Sequence, residues 1–371
     1  MSWPIPNIPV KAVMSSPDYK RWSIILLAMS LAGVLLAIYP GNSTSYGQIL
    51  LYGLLPAILL WLCFFGGVFY RYQRSINALL LWSAETKRTK QLWQRWSRKQ
   101  QIVVSNVVLT PEENGVLSLL GEPADVPAYP AKARALFTEL STLEKRLAYI
   151  DRETEKQCPG YRHHLGKIEI QYSARYQTGV IEQAVYNRWD LFPECTNTKE
   201  SFCADDNNEQ SGLILLLCVQ DWGGSQAEQY SEFITAQLIV SEHFTSRAVF
   251  PVIAGVGRLL SSNSLPDALD MLVEYNRLET TKMRYVWLSG MDNDERVRLI
   301  QHLTLKQWPL PERHPFISLD HSFGPPGPLM FPVAISLLTD AVKFTNENQL
   351  IIFVDAKNNY SICFITRELF L

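Results

Sequence analysis

Paired cysteines are what this sequence most plainly lacks. Cys63, Cys158, Cys195, Cys203, Cys218 and Cys363 are scattered through 371 residues with no C-x-x-C pair. That spacing excludes a disulfide framework and a cysteine zinc site, and it points to reduced thiols in a cytosolic compartment. No G-x-S-x-G stretch is present, so a serine hydrolase elbow is excluded. "VIAGVGRLLSSNS" offers Gly255 and Gly257 but no third glycine, which removes dinucleotide binding. His163 and His164 stand together without the further ligands of a metal site. Asp205, Asp206 and Glu209 cluster in a polar loop, but at spacings too poor for calcium. No metal and no cofactor is expected.

Acidic residues are nearly absent from the front of the chain. Residues 1–100 hold 11 Lys/Arg against 2 Asp/Glu, a balance of +9, and the remainder holds 23 against 34, a balance of -11. The two parts meet different surroundings. Charge of either sign is missing from "WSIILLAMSLAGVLLAIY", the 18 residues from Trp22 to Tyr39, and from the 22 residues Ile49 to Tyr70. Hydrocarbon about 30 Å thick needs roughly 20 apolar helical residues, so both runs qualify as spans. A removable signal peptide does not fit the first, because about twenty residues precede it and a second span follows at once.

Cations set the orientation. Lys11, Lys20 and Arg21 precede the first span; Arg71, Arg74, Lys87, Arg88, Lys90, Arg95, Arg98 and Lys99 follow the second, opposed by Glu85 alone, and the connecting "PGNSTSYGQ" has no charge. The positive-inside rule puts both termini in the cytoplasm; the expected location is a bacterial inner membrane. The expected organisation is a cytoplasmic tail (1–21), two transmembrane helices (22–70), a basic juxtamembrane helix (71–100) and a cytoplasmic α/β domain (101–371). In the juxtamembrane helix, Trp82, Trp93 and Trp96 share a face. Arg71, Arg74, Lys87, Arg88, Trp93, Arg95 and Trp96 are the expected lipid contacts. No nucleic acid is expected, since the basic run adjoins a span. The "WPIPNIP" start reads as an extended, solvated tail.

Beyond residue 100 strands and helices alternate. "QIVVSNVVL" (101–109) and "GVLSLLG" (115–121) read as strands, the Pro-rich "EPADVPAYPAKA" as a linker, and 131–156 as an amphipathic helix. Further strands are expected at 167–173, 212–219, 284–290, 314–320, 349–356 and 359–367, and helices near 178–189, 225–242, 265–278, 292–306 and 329–343. Apolar runs alternating with helices imply layered α/β structure. "KNN" (357–359) joins the last two strands as a hairpin, so the sheet is mixed.

One stretch carries possible chemistry. "FISLDHSFGPPGPLMFPVAISLL" (316–338) reads as a buried strand, a His on a small-residue turn, then a helix. With the closing hairpin, it resembles the C-terminal part of the thiolase and ketosynthase superfamily. The resemblance implies a layered, thiolase-like α/β fold. It also implies a His that polarises a thioester carbonyl and a nucleophilic Cys on another strand-to-helix turn. His321, Ser322, Phe323, Gly324 and Gly327 occupy the matching turn, and Asp320 stands ready to orient the imidazole or end the strand. Pro325, Pro326 and Pro328 depart from the family, because proline offers no N–H to an oxyanion. Cys218 is the best nucleophile available, placed at a strand end ahead of a helix near Ser225, but its "LLLCV" setting would hold the thiol protonated.

Those departures favour a non-enzymatic reading. The expectation is a membrane-anchored adaptor that binds a protein partner and membrane lipid, with His321, Ser322, Phe323, Gly324 and Gly327 lining the groove. The layout of the chain also resembles type VI secretion accessory proteins, which would make the partner a secretion effector or an apparatus component. The alternative is a membrane-bound acyl-thioester enzyme using Cys218 and His321.

Overall fold

A computed structural model describes residues 3–5, 8–39, 45–121, 125–130, 132–138, 140–173, 178–196, 212–222, 229–240, 250–276, 283–308, 310–311, 314–355 and 359–369. They form two compact units: Pro6–Leu92, and a globular unit made of Met1–Ile5 with Trp93–Leu371. Asp205, Asp206, Glu209 and the middle of the "KNN" turn lie outside the described residues.

The first unit is built on helices α1 (Tyr19–Ile38), α2 (Tyr46–Ile49) and α3 (Leu55–Ser97), with a π-helical turn at Leu50–Leu54 joining the last two. Asp18 caps α1 by accepting from the Arg21 N–H. Both helices are long and apolar enough to cross a membrane. Glycines decide how closely they pack. A Cβ on Gly33 would lie 2.5 Å from the Gly53 carbonyl oxygen, and one on Gly53 would lie 2.8 Å from the Ala37 Cβ. Nearer the tail, the Trp61 indole donates to the Trp22 carbonyl (2.9 Å), and Trp61 stacks on Phe65 at 4.8 Å. Residues 9–14 do not trail off as a free tail. The Met14 N–H donates to Ser75 Oγ (3.3 Å), and the Trp82 indole donates to the Pro9 carbonyl (3.0 Å).

The globular unit holds strands β1 (Gln101–Leu109), β2 (Leu165–Tyr172), β3 (Glu194–Cys195), β4 (Leu213–Gln220), β5 (Phe233–Val240), β6 (Ala254–Val256), β7 (Leu260–Ser262), β8 (Met283–Ser289), β9 (Phe316–Ser318), β10 (Asn348–Val354) and β11 (Tyr360–Thr366). Its helices are α4 (Leu143–Gln157), α5 (Thr178–Trp189), α6 (Leu265–Asn276), α7 (Asn293–Leu305), α8 (Leu319–Phe323) and α9 (Met330–Thr345). They build a mixed sheet in the order β3-β2-β4-β5-β1-β6-β11-β10-β8-β9, with β7 also on β11.

The order contains one pattern twice. In the first half β2 runs parallel to β3 and β4, and β4 is antiparallel to β5. In the second half β8 runs parallel to β9 and β10, and β10 is antiparallel to β11. Each half follows the sequence strand, helix, strand, helix, strand, crossover, strand, strand, the opening strand of the second half being split into β6 and β7. β6 pairs with both β1 and β11 and so fuses the halves.

Alternation along the strands sorts the core into layers. Leu216, Cys218, Phe233, Trp287, Ile351 and Cys363 face α9. Leu215, Leu217, Ile234 and Ala236 belong to the core packed with α4 and α5, and Val286, Leu350 and Ile352 to that packed with α6 and α7. Helix α9 is buried almost throughout; Phe331, Ile335, Leu337 and Leu338 each contribute about 1.5–3 kcal/mol by leaving water.

Four expectations from sequence require correction. Residues 225–242 were expected as a helix, but 233–240 form β5, whose every residue is buried. A strand covered on both faces loses its alternation and reads like a helix. Residues 115–119 form a 3-10 turn, in which Val116 and Leu119 reach the core at the three-residue spacing of that helix. Helix α4 starts only at Leu143, where Thr142 caps it; upstream, the N–H groups of Arg134, Leu136 and Phe137 donate to Ser231, Glu232 and Thr110. The strand expected at 314–320 is only Phe316–Ser318, because Ser318 Oγ accepts from the His321 N–H and starts α8.

Candidate functional site

Around His321 the geometry is set by close backbone approaches. Asp320, one residue earlier, turns inward: its carboxylate accepts from Ser289 Oγ (2.7 Å) and from the Gly290 N–H (2.5 Å) at the end of β8. Burial raises its pKa against those two hydrogen bonds. Asp320 therefore ties α8 to the sheet, while the His321 side chain is exposed. Ser322 and Phe323 are buried, and the Phe323 ring meets Phe233 edge-on at 5.3 Å.

A strap made of residues 125–130 and 132–138 lies across the turn. The Tyr129 N–H donates to the His321 carbonyl (2.7 Å). Gly324 adopts φ +91, and a Cβ there would overlap the Lys132 carbonyl, so only glycine fits. Ser231 Oγ donates to the Phe323 carbonyl (2.5 Å) and accepts from the Arg134 N–H (2.9 Å). Arg134 is held in turn by Glu112 and by the Tyr129 ring, 4.1 Å away. On the inner side, Gln220 Oε1 accepts from the Leu329 N–H and its Nε2 donates to the Ser231 carbonyl, both at 2.9 Å. A Cβ on Gly327 would overlap that Gln220 side chain. The N–H groups of Gly324 and Leu329 are thus spent within the protein, the former on the Asp320 carbonyl (3.1 Å).

Cys218 lies inside β4, between Gln171 of β2 and Thr235 of β5. It is buried, and burial pushes its thiol up to about 12 against a Thr235 hydrogen bond. The residues directly after β4, Asp221 and Trp222, are not helical. A small cavity touches Cys218 and is lined also by Glu169, Gln171, Thr235, Gln237 and Ser336; no residue from 321 to 327 lines it among the described residues. Cys363 on β11 is likewise buried and pushed up to about 12. Burial, then Glu155, raises the Cys158 thiol. Cys195 is exposed at the end of β3, and burial followed by a hydrogen bond to Glu182 (3.3 Å) raises it too.

Sequence reasoning missed Gln220, Ser231 and the strap, which together fill the space behind the turn. A faint signal existed: "QD" (220–221) directly after the seven apolar residues 213–219 of β4 is an abrupt polar pair. Asp221 is wholly buried and ion-paired to Arg146 (2.7 Å). His163 and His164 sit in a 3-10 turn anchored by Tyr161, whose hydroxyl donates to Asp151 (2.6 Å) alongside Arg162 and Arg188.

Of the expected lipid contacts, Arg71, Arg74, Lys87, Arg88 and Arg95 are exposed on α3, and Trp93 is half-buried. Trp96 requires correction: it is buried in the globular unit, 5.5 Å from Trp3 and under Arg258 at 4.6 Å, which takes it out of reach of lipid. Trp3 and Ile5 pack there as well, so the first residues are not solvated tail.

No protein-family model matches the sequence, and no curated protein does. Solved structures do. A chain from the complex of a type II PKS acyl-carrier protein with its ketosynthase superposes with a TM-score of 0.52 at 10% identity, covering 73% of this chain and 100% of that one. The protein has a thiolase-like fold. A Streptomyces albus ketosynthase domain (TM-score 0.47, 10% identity, 73% and 96% covered) and OleA of Xanthomonas campestris with cerulenin (0.47, 8%, 74% and 98%) are more distant in shape. The thiolase-like body here carries its long central helix, α9, in the crossover 319–347 of the second half. The matching crossover of the first half spans only 196–212.

Proposed function

We propose that this chain is a membrane-anchored accessory protein whose thiolase-like body holds a protein partner instead of transforming a thioester. One observation carries the reading: Cys218, the best nucleophile candidate, is buried inside β4 between Gln171 and Thr235, and the cavity it lines is reached by no residue from 321 to 327 among the described residues, so no thiol there is paired with His321. The engaged N–H groups of the His turn support it, since an oxyanion site needs donors that are free to turn to substrate. Two apolar helices closing on each other through Gly33 and Gly53 support a hairpin anchor. The tail lying back along α3 at Ser75 and Trp82 supports both termini being on one side. With the cation distribution, that side is the cytoplasm; on the resemblance in layout, the membrane is a bacterial inner membrane. On the resemblance in layout, the partner is an effector or a component of a type VI secretion apparatus. His321 and the exposed rim of its turn belong to the partner-binding surface.

The second reading, an acyl-thioester enzyme, is favoured by the ketosynthase likeness in fold. In it the nucleophile would have to come from Cys203, outside the described residues, or from Cys195 after deprotonation. Purifying the tagged full-length protein from its own membrane separates the two. A defined protein partner retained through purification, with no turnover of acyl thioesters, supports the adaptor. Turnover that is lost in Cys203→Ala or Cys195→Ala replaces it with the enzyme.

A further inference from the structure

On the anchored reading, one face of the long helix α3 is bare beyond the reach of lipid, which removes Lys87 and Arg88 from the expected lipid contacts and leaves them to a protein. The bilayer level on α3 is set by α1, whose Tyr19 and Trp22 rings lie 6.3 and 5.6 Å from Phe65, next to Lys20 and Arg21, which close the apolar span. At a rise of 1.5 Å per residue, Leu80 stands about 22 Å beyond Phe65 along the axis and Arg88 about 35 Å. Counted from Tyr70, where the uncharged run ends, the distances are still about 15 and 27 Å. A headgroup layer is roughly 6 Å deep, and a helix tilt of about 40° would shorten these distances by only about a quarter. Screening removes attraction to charged lipid beyond about 10 Å.

The chain itself covers the opposite side of this stretch, where the tail is bonded to Ser75 and Trp82. On the bare side Asn77, Leu81, Ala84 and Arg88 recur at spacings of four, three and four, flanked by Leu80 and Lys87, and all six are exposed. Leu80 and Leu81 are 59% and 71% exposed. Only Leu81 and Ala84 of that row are apolar, and with Leu80 beside them they form a short exposed apolar strip bordered by Asn77 at one end and by Lys87 and Arg88 at the other. Leucines lie at its membrane-proximal end and cations at the other; the one acid of the stretch, Glu85, lies 3.7 Å from Arg88. A second copy of the chain does not fit. Two copies anchored in one membrane run parallel, which sets Lys87 and Arg88 against their own counterparts.

We infer that this face docks an amphipathic helix of a protein partner. Apolar residues of that helix seat against Leu80, Leu81 and Ala84, and its Asp or Glu residues face Lys87 and Arg88. The inference rests on the anchored, partner-binding reading above and gives it a position and a chemistry.

The test uses the full chain in nanodiscs of phosphatidylcholine, with a photoreactive phenylalanine at position 81. The probe is a synthetic amphipathic helix of Leu and Glu, compared with the same peptide carrying Lys for Glu. The Glu peptide is expected to cross-link at least tenfold more than the Lys peptide. Lys87→Glu with Arg88→Glu should reverse that preference, while Lys145→Glu in the globular unit leaves it unchanged. Equal cross-linking of both peptides, cross-linking to lipid instead, or none at all overturns the inference. Alkaline extraction of the same protein tells the two failures apart: a chain that stays in the membrane without cross-linking sinks this inference alone, and a chain that is released sinks the anchor with it.

Discussion

Gln220 stands in the space that a side chain at position 327 would need, and its amide holds both the Leu329 N–H and the Ser231 carbonyl. The His turn is therefore keyed to the end of β4 by one side chain. Gly327→Ala is expected to cost about 1–3 kcal/mol by overpacking, and Gln220→Ala about 1–3 kcal/mol by leaving the Leu329 N–H unpaired. The double variant should lose less than the sum, since the shortened residue 220 makes room for the methyl group. Denaturant melting of the four proteins measures the coupling; strict additivity would show that the two positions do not touch.

Asp340 on α9 accepts from Asn106 Nδ2 at 2.7 Å, and burial pushes its carboxyl up to about 6 despite that bond and nearby Lys343. The folded state then keeps a proton between about pH 4 and 6 that the unfolded chain has released, so this group's contribution falls as pH rises through that window and is flat above it. Asp340→Asn keeps an acceptor for Asn106 and removes the charge. It should stabilise the protein at pH 7.5 by about 2 kcal/mol and little at pH 4. A variant that is less stable at pH 7.5 would refute this account of the site.

Thiol reactivity should follow burial. In native protein at pH 8, Cys218 and Cys363 are expected to resist an aromatic disulfide reagent until the sheet unfolds, while Cys195 reacts slowly. Glu182→Gln should speed Cys195 several-fold by removing the carboxylate beside its sulfur. Mass spectrometry of the labelled peptides reads all three; rapid native labelling of Cys218 would return it to candidacy as a nucleophile.

Gly33 and Gly53 bring the two apolar helices to backbone contact. Gly53→Ile should force them apart, lower the unfolding temperature in detergent, and speed amide exchange in the π-helical turn Leu50–Leu54. Gly66→Ile, at a glycine with open space around it, is the control and should change neither.

Much of the architecture was legible. Apolar runs without alternation gave β4 and β10, and the charge-free stretches gave α1 and the start of α3, because burial and lipid both act on side-chain polarity. β5 was misread for the same reason: "FITAQLIV" is covered on both faces, so no period marks it as strand. The strap was unreadable because what holds residues 129–136 is not local pattern but N–H groups bonded to His321, Ser231 and Glu232, far away in sequence. The His turn could be located from its glycines and prolines, yet its content could not. That Gly324 yields to the Lys132 carbonyl, and Gly327 to Gln220, is fixed only once distant segments meet.

Because β6 is zipped to β1 on one side and to β11 on the other, the sheet cannot become continuous until residues 360–366 have emerged from the ribosome. By then the greasy hairpin has long since been synthesised. Closure of the body is therefore a late event, and a nascent chain arrested before β11 would carry two unsealed half-sheets with open edges, a state prone to aggregation.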